Sequence, residues 1–282
     1  MNSSIQNRII SLISNQRFAR SSFFAACFIC SLAPVQASNE NPGEIDWRKI
    51  RDAKLGVFSI SATETSVGQF RRYVRATGKT TLAERNGGGL IYDNGWEQKI
   101  GWNWQSPFGQ PAQDSEPAAH VTYDEAQAFC EWAGGQLPSD PQWLAAAYIE
   151  SRAEPPPPFV PGTRYQYPTG SSPVGAHCLD GCGDPRGRAV TDGSVLNRGF
   201  GHARVASGAA GVNGLFDMGA NLWEWVNEPM ILGTTAAGAP RRTRGGSWWY
   251  GPAQMQAEHL ASKPGDMAVA YIGFRCVRTI RR

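Results

Sequence analysis

Residues 120–147 read HVTYDEAQAFCEWAGGQLPSDPQWLAAA, and this stretch carries the start signals of two helices. Thr122 is followed three residues later by Glu125, and Ser139 is followed three residues later by Gln142. A hydroxyl residue and a Glu or Gln at this spacing form a capping box, in which each side chain accepts a hydrogen bond from the other residue's backbone N–H. The stretch therefore predicts two short helices, separated by a glycine pair.

The same signal occurs earlier in the chain. Ser66 and Gln69 have capping-box spacing, and Gly78 provides a stop signal for the helix that would follow. The apolar residues that we expect to face the core are Val67, Phe70 and Val74 in this helix, and Ala126, Phe129 and Cys130 in the helix after Thr122. The sequence thus predicts three short amphipathic or buried helices.

Much of the remaining sequence is typical of loops. It contains 32 Gly and 19 Pro in 282 residues, and strand-like runs are few and short, such as residues 268–277. This pattern indicates an α+β domain with a large share of loop. Such a domain needs disulfides or bound ions to hold its shape.

The N-terminal 37 residues have the composition of a secretory signal peptide. Arg8, Arg17 and Arg20 precede an apolar run that begins at Phe23, and a small-x-Ala cleavage pattern ends at Ala37. A membrane anchor would need about 18 consecutive apolar residues, and this run is shorter; lipidation at Cys27 is a weaker alternative. We expect residues 1–37 to be removed, and residues 38–282 to form one periplasmic or secreted domain without a membrane anchor.

The overall charge balance does not indicate nucleic acid as a partner, and only a local basic patch is left as a way to bind it. The chain has 27 Lys and Arg against 24 Asp and Glu. The predicted signal peptide contains three of the arginines and no acid, so the mature chain would be neutral. The overall balance therefore favours neither nucleic acid nor an anionic lipid surface.

Six cysteines become four after the predicted cleavage: Cys130, Cys178, Cys182 and Cys276. An even number in an oxidising compartment indicates two disulfides. The alternative, a zinc site that uses Cys178 and Cys182, lacks a second pair of ligands at a suitable spacing.

Several motifs together resemble the sulfatase-modifying-factor family, which includes formylglycine-generating enzymes and a pyoverdine-maturation protein. The motifs stand in the family's order: ETSVGQFRRYVRATGKTTLAER at 64–85, NWQSPFG at 103–109, the stretch at 120–147, GLFDMGANLWEWV at 214–226, RGGSW at 244–248 and IGFRCVR at 272–278. The resemblance implies an α+β, loop-rich variant of the C-type-lectin-like fold. It also implies that Cys130 pairs with Cys276, which leaves Cys178 and Cys182 to pair with each other or to remain two separate thiols.

A structural calcium site is predicted in residues 214–226. Asp217 and Glu224 flank a small glycine-containing loop that can turn backbone carbonyls toward a hard cation. The resemblance implies a ligand set of Asp217, Glu224 and the backbone oxygens of Ala220 and Leu222; the alternative is that the two carboxylates are solvated or cap the turn. A second calcium site of the family would fall at residues 176–182, which lack its leading Asn, so we do not expect it here.

The copper site of the aerobic formylglycine-generating enzymes is not expected. In those enzymes a cysteine pair shortly after RGGSW holds copper(I), and the two positions are Tyr250 and Met255 in this chain. A phenol and a thioether cannot replace a linear pair of thiolates. The resemblance thus implies that the family's chemistry takes place at residues 244–256. The cysteines that would bind its usual metal are, however, missing from this segment.

Other residues are predicted to build the site instead. The expected substrate pocket is lined by Trp102, Trp104, Arg244, Trp248, Trp249 and Met255, and the candidate catalytic residues are Tyr250, Glu258 and His259. Of the neighbours Glu258 and His259 we expect at most one to face the pocket. The alternative is that the aromatic residues are core and that the polar ones are ordinary surface positions.

The resemblance implies an exported oxidoreductase or maturation factor for a peptide-like or siderophore-like substrate. A non-catalytic lectin-like binding module is the alternative from another class, and true formylglycine generation is disfavoured by the missing cysteines. Iron-dependent relatives need a three-histidine site on an added helical domain. This chain has four histidines, none in a His-x-x-x-His pattern, so the activity of the iron-dependent relatives is not expected.

Overall fold

The structure is a computed structural model, and it describes residues 45–92, 95–179, 181–182, 201–229 and 238–279. The predicted signal peptide, residues 1–37, lies outside the described residues. Nine strands and four α-helices are present in the described part. The strands are β1 (Trp47–Asp52), β2 (Gly56–Ser61), β3 (Gly88–Tyr92), β4 (Trp96–Ile100), β5 (Trp223–Pro229), β6 (Pro240–Arg244), β7 (Ala261–Pro264), β8 (Ile272–Gly273) and β9 (Val277–Thr279). The helices are α1 (Val67–Thr77), α2 (Leu82–Arg85), α3 (Tyr123–Trp132) and α4 (Asp140–Tyr148), with single 3₁₀ turns at Val212–Gly214 and Pro252–Met255.

The three predicted capping boxes are confirmed. At the start of α1 the Gln69 backbone N–H donates to the Ser66 hydroxyl (3.2 Å), and the Ser66 backbone N–H donates to the Gln69 side chain (2.9 Å). The boxes before α3 and α4 have the same two bonds. The helix α1 ends at Gly78, whose φ of 67° is the left-handed conformation that glycine adopts without steric cost.

One helix was missed in the sequence. Thr81 and Glu84 form a fourth capping box and start the short helix α2. The Glu84 carboxylate also accepts a hydrogen bond from Trp104 Nε1 (3.3 Å) and thereby holds the loop at residues 103–109 against α2. The signal was present as Thr-x-x-Glu, but the helix that it starts spans only four residues.

Three sheets organise the described strands. The first has the order β1-β2-β9 and is antiparallel, the second is the hairpin β3-β4, and the third has the order β7-β6-β5-β8. In the third sheet β5 and β8 are parallel, and the other pairs are antiparallel. The predicted α+β class is therefore confirmed.

The strand predicted over residues 268–277 is wrong in its extent. Only β8 and the first residue of β9 fall within it. The segment is almost wholly buried, but its backbone bonds to several elements in turn: the carbonyl of Ala268 accepts from Leu90, that of Val269 from His120, and that of Tyr271 from Trp223. No single strand pairs along the whole of this segment. The apolar run therefore forms only short pairings, although in sequence it resembles one strand.

Two hydrophobic clusters form most of the core. The larger cluster packs α1 and α3 against Trp104, Trp223 and Phe274, and the smaller one packs α4 against the β1-β2-β9 sheet. The predicted disulfide Cys130–Cys276 joins α3 to the segment before β9 across 146 residues of sequence. The described part of the chain contains no helix with the length and apolar character that a membrane span requires.

Candidate functional site

The segment that was predicted to bind calcium is a turn in unusual backbone geometry. Asp217, Ala220 and Asn221 have φ values of 56°, 64° and 55°, in the left-handed region that non-glycine residues rarely adopt. The turn directs the Asn221 amide and the Leu222 backbone N–H onto the two carboxylate oxygens of Glu64, at 2.6 and 2.9 Å. The strained turn is thus held by a buried carboxylate from the segment before α1.

The carboxylate of Glu224 is occupied by protein donors. Arg275 donates from Nη2 to Oε1 (2.7 Å) and from Nε to Oε2 (2.8 Å), while Trp143 Nε1 donates to Oε2 (2.7 Å). The side chains of Arg275 and Glu224 are fully buried. Arg275 also donates to the carbonyls of Ser61, Ala62 and Phe216.

This geometry does not fit Glu224 as a direct calcium ligand, because the guanidinium of Arg275 already supplies the positive charge there. Asp217 is half-buried, and its Oδ2 accepts from the backbone N–H of Ala206 (2.7 Å). Burial raises the pKa of Glu64 well above its usual range, and the negative charges of Asp217 and Glu224 raise it further. The carboxyl groups of Glu64, Asp217 and Glu224 therefore lie around a single guanidinium, that of Arg275. Within the described ranges no group of three or more His, Cys, Asp or Glu side chains is placed to bind one metal ion.

The segment RGGSW is shaped by its glycine pair. Gly245 and Gly246 have φ values of 95° and 80°, and a Cβ on Gly245 would lie 2.7 Å from the carbonyl oxygen of Met218. The bend lets the Trp248 backbone N–H donate to the carbonyl of Asn221 (2.8 Å). Residues 244–250 are therefore fixed directly on the strained turn.

Aromatic residues from the loop at residues 102–109 and from residues 248–249 contact each other. Trp102 contacts Phe108 edge to face (centroids 5.6 Å apart), Phe108 contacts Trp248 (5.8 Å), and Trp248 contacts Trp249 (5.3 Å). We call these four residues the aromatic wall. Three of the predicted pocket residues, Trp102, Trp248 and Trp249, therefore lie in one region.

Two buried histidines behind the aromatic wall were not singled out from the sequence. His202 Nε2 lies 2.9 Å from Glu116 Oε2, both side chains are buried, and the ring of Phe108 packs on His202 at 5.0 Å. His120 Nε2 bonds to the carbonyl of Pro107 (2.8 Å), and burial lowers the pKa of His120 to about 4. Nothing in their local sequence marks these histidines, because their partners lie far away in the chain or are backbone atoms.

A second group of side chains surrounds Trp223, which is itself buried. The ring of Tyr250 meets Trp223 edge to face at 5.5 Å, and the ring of His259 lies tilted by 30° at 5.7 Å. Lys263 on β7 places Nζ 5.8 Å from the centre of the same indole. We call these four residues the Trp223 site. Two of the three candidate catalytic residues, Tyr250 and His259, therefore lie together.

Burial and neighbouring charges keep the phenol of Tyr250 and the imidazole of His259 neutral near pH 7. Burial is the largest cause that raises the pKa of the Tyr250 phenol. Burial also lowers the pKa of His259, and the charges of Arg244 and Lys263 lower it further. A protonated phenol and an unprotonated imidazole that pack on the same indole can give and accept a proton at neutral pH.

The structure corrects four of the predicted site residues. Trp104 is buried in the core beside Phe70, and Met255 is buried against Ala176, Ala220 and the disulfide Cys178–Cys182, so neither lines an open pocket. Arg244 is buried in a two-bond ion pair with Asp140 (2.6 and 2.7 Å), which ties β6 to α4. Glu258 is exposed, and it lies in the turn before β7. It therefore lacks the burial that we expected of an acid–base residue.

Comparisons with known proteins agree with this architecture. A family model described as the sulfatase-modifying factor enzyme 1-like domain matches residues 35–280. A formylglycine-generating enzyme of Thermomonospora curvata is 24% identical over 265 residues, which cover 80% of this chain and 84% of that protein. An inactive C-alpha-formylglycine-generating enzyme 2 of Mus musculus is 25% identical over 82% of this chain and 78% of that protein. The solved structure of PvdO from Pseudomonas aeruginosa aligns with a TM-score of 0.55 at 18% identity, over 84% of this chain and 92% of that one.

Proposed function

This chain belongs to the sulfatase-modifying factor enzyme 1-like family, and from that premise we propose that it is an exported oxidoreductase or maturation factor. Its substrate is peptide-like or siderophore-like, of the kind represented by a reduced pyoverdine precursor. It acts without the copper–cysteine pair of the aerobic formylglycine-generating enzymes.

One observation carries this proposal: Tyr250, at the first of the two cysteine positions, packs on Trp223 together with His259. A redox-active substrate ring that loses two electrons and two protons reduces molecular oxygen to hydrogen peroxide. The neutral His259 imidazole accepts one of the substrate's protons, and the Tyr250 phenol, kept protonated by burial, donates a hydrogen bond to the ring substituent that is oxidised. This route asks the protein to orient the ring and move protons, and the substrate itself supplies the electrons.

The aromatic wall supports binding of a flat substrate. Trp102 and Trp249 are half-buried and therefore keep part of their ring surface in contact with solvent. Aromatic faces bind planar and aliphatic groups, and paired rings contribute about 0.5–1.5 kcal/mol beyond the area that they bury. The wall would therefore hold the body of the substrate beside the residues that move protons.

Oxygen uptake tests the proposed reaction. Purified protein is mixed with a reduced pyoverdine precursor in air-saturated buffer, and oxygen consumption and product mass are followed. We expect a product two hydrogens lighter, and a rate about tenfold lower in Tyr250→Phe, because the hydrogen bond that the phenol donates to the oxidised substituent is lost. The matched control is Tyr167→Phe, another half-buried tyrosine on a different loop, which should keep the wild-type rate. An unchanged rate in Tyr250→Phe would contradict the assigned role.

Export is part of the proposal and rests on the sequence of residues 1–37. N-terminal sequencing of periplasmic or secreted protein should begin near Ser38. Recovery of the full-length chain from the cytoplasm alone would contradict export.

A calcium ion is also proposed, in a form adapted to the observed geometry. Asp217 and the backbone oxygens of Ala220 and Leu222 would hold it, and Glu224 would remain with Arg275. The support is that the carboxylates of Asp217 and Glu224 share one guanidinium, that of Arg275, since a divalent cation would offset the second negative charge. When bound, the ion would stabilise the turn and would take no part in the reaction.

A non-catalytic binding module is the second candidate. The observation that favours it is the sequence similarity to a relative described as an inactive formylglycine-generating enzyme. Binding of the precursor without oxygen uptake would select this alternative.

A further inference from the structure

The Trp223 site has a third polar member that the proposed reaction does not use, Lys263. Its Nζ lies 5.8 Å from the centre of the Trp223 ring, which Tyr250 and His259 also contact. The register of the sheet places the side chains of Trp223 and Lys263 on one face. Trp225, Thr243 and Ala261 are direct cross-strand partners, so Trp223 on β5 and Lys263 on β7, each two residues away from a partner, lie on the same face.

The Lys263 ammonium lacks an anionic partner in the part of the chain that the structure describes. No carboxylate lies within ion-pair distance of Lys263 among the residues that the structure describes, and its one hydrogen bond runs to the neighbouring carbonyl of Ser262 (3.3 Å). The polar group next to the Tyr250 hydroxyl is the indole N–H of Trp223, which is a donor and no acceptor. The buried indole N–H of Trp223 interacts with the Tyr250 phenol but does not reach hydrogen-bond geometry with it.

The charges around the site are positive. Burial lowers the pKa of Lys263, and the charges that act on His259 are those of Arg244 and Lys263. Glu258 is next to His259 in sequence, but its side chain is exposed. A partly buried ammonium without a counter-ion is costly, and an anion that binds to it removes that cost.

An aromatic surface adjoins these donors. Tyr92 and Trp96 are about half exposed and contact each other edge to face (centroids 5.5 Å apart). Trp96 lies 6.3 Å from Tyr271, and Tyr271 lies 6.5 Å from Tyr250. Through the buried ring of Tyr271, contacts between rings therefore link the exposed β3-β4 hairpin to Tyr250 of the Trp223 site.

We propose that Lys263 is a specificity-determining residue that binds a carboxylate carried by an aromatic substrate, with the substrate ring held beside Tyr250 and Trp96. The ligand class is thus an aromatic ring with a carboxylate one or two bonds away. The inference rests on the proposed function in that it uses the same site, and it adds the chemical class of the substrate. Tyr250 and the Trp223 N–H supply further donors to the carboxylate or to a ring hydroxyl.

Calorimetric titration with two isosteric probes tests the inference. The probes are 4-hydroxyphenylacetate and its neutral amide, 4-hydroxyphenylacetamide, which differ only in the charged group. A charge-assisted hydrogen bond should make the acid bind about tenfold to hundredfold more tightly than the amide. Lys263→Met should reduce this preference to about threefold or less without weakening the amide, and Lys263→Arg should retain it.

The control is Lys54→Met, a change at an exposed lysine in the turn between β1 and β2, which should leave the preference unchanged. The inference is overturned if the wild-type protein binds acid and amide equally, if it binds neither, or if Lys263→Met keeps the preference for the acid. Because binding is measured without turnover, these outcomes are separate from the reaction. A retained preference together with absent oxygen uptake would overturn the proposed oxidation and leave the carboxylate site intact.

Discussion

Arg275 and Glu224 form a fully buried ion pair, joined by Nη2–Oε1 and Nε–Oε2 hydrogen bonds of 2.7 and 2.8 Å. The pair links β5 to the segment between β8 and β9, and the remaining guanidinium hydrogens reach backbone carbonyls. It therefore positions the strand that begins with Trp223.

Removal of the guanidinium should be severely destabilising. Arg275→Met leaves the Glu224 carboxylate buried without its counter-charge, which typically costs about 3–5 kcal/mol. Urea unfolding of Arg275→Met and of the exposed control Arg51→Met measures the difference; the control should lie within about 0.5 kcal/mol of wild type. A loss below about 1 kcal/mol in Arg275→Met would show that the pair is not needed.

The two disulfides should contribute unequally. Cys130–Cys276 closes a loop with a sequence separation of 146, and Cys178–Cys182 closes one of only 4. The chain-entropy account gives about 5 kcal/mol for the long loop and about 2 kcal/mol for the short one, and native disulfides in secreted domains commonly measure 2–5 kcal/mol. We expect Cys276→Ser to lower the free energy of unfolding more than Cys182→Ser. The opposite order would contradict this assignment.

Acid should destabilise the protein through His120. Burial lowers its pKa from 6.5 to about 4, so the native state resists a proton that the unfolded chain accepts. The contribution of the neutral ring to the free energy of unfolding is fully present above pH 6.5. It is lost as the pH falls toward 4, and the total loss is about 3 kcal/mol. His120→Asn is the test, since Asn tolerates the φ of 56° found there. The stability difference between wild type and variant should shrink over this range; a constant difference would contradict the prediction.

Calcium should stabilise the turn at Asp217. We expect EGTA to lower the melting temperature of the wild-type protein and added calcium to restore it, because a ligand that binds only the folded state stabilises it. Asp217→Asn should weaken this response, and Asp266→Asn is a control at a carboxylate in the turn after β7. A wild-type melting temperature that is indifferent to EGTA would remove the calcium proposal.

The helices of this fold are predictable from local sequence, whereas the site is only partly so. Capping boxes such as that of Ser66 and Gln69 act within three residues, and the resemblance of separated motifs gave the family and the Cys130–Cys276 pairing. The packing between residues far apart in the chain could not be predicted from local sequence. Met255 and Trp104 look like pocket residues in sequence, yet both fill the core.

Lys263 and Trp223 were missed for a related reason. A lysine in a short edge strand has no local signal, and its importance arises from the register that brings β7 and β5 to one face. Likewise, Glu224 looked like a metal ligand because its partner Arg275 lies 51 residues away.

The central claim is that the locus at Tyr250 and Met255 acts on its own substrate without the copper–cysteine chemistry. The most direct measurement is the product mass when the protein, supplied with copper(I) and oxygen, is given a Cys-x-Pro-x-Arg peptide and a reduced pyoverdine precursor in parallel. The account predicts that the peptide cysteine stays unchanged and that the precursor loses two hydrogens. Formylglycine in the peptide, or an unchanged precursor, would contradict it.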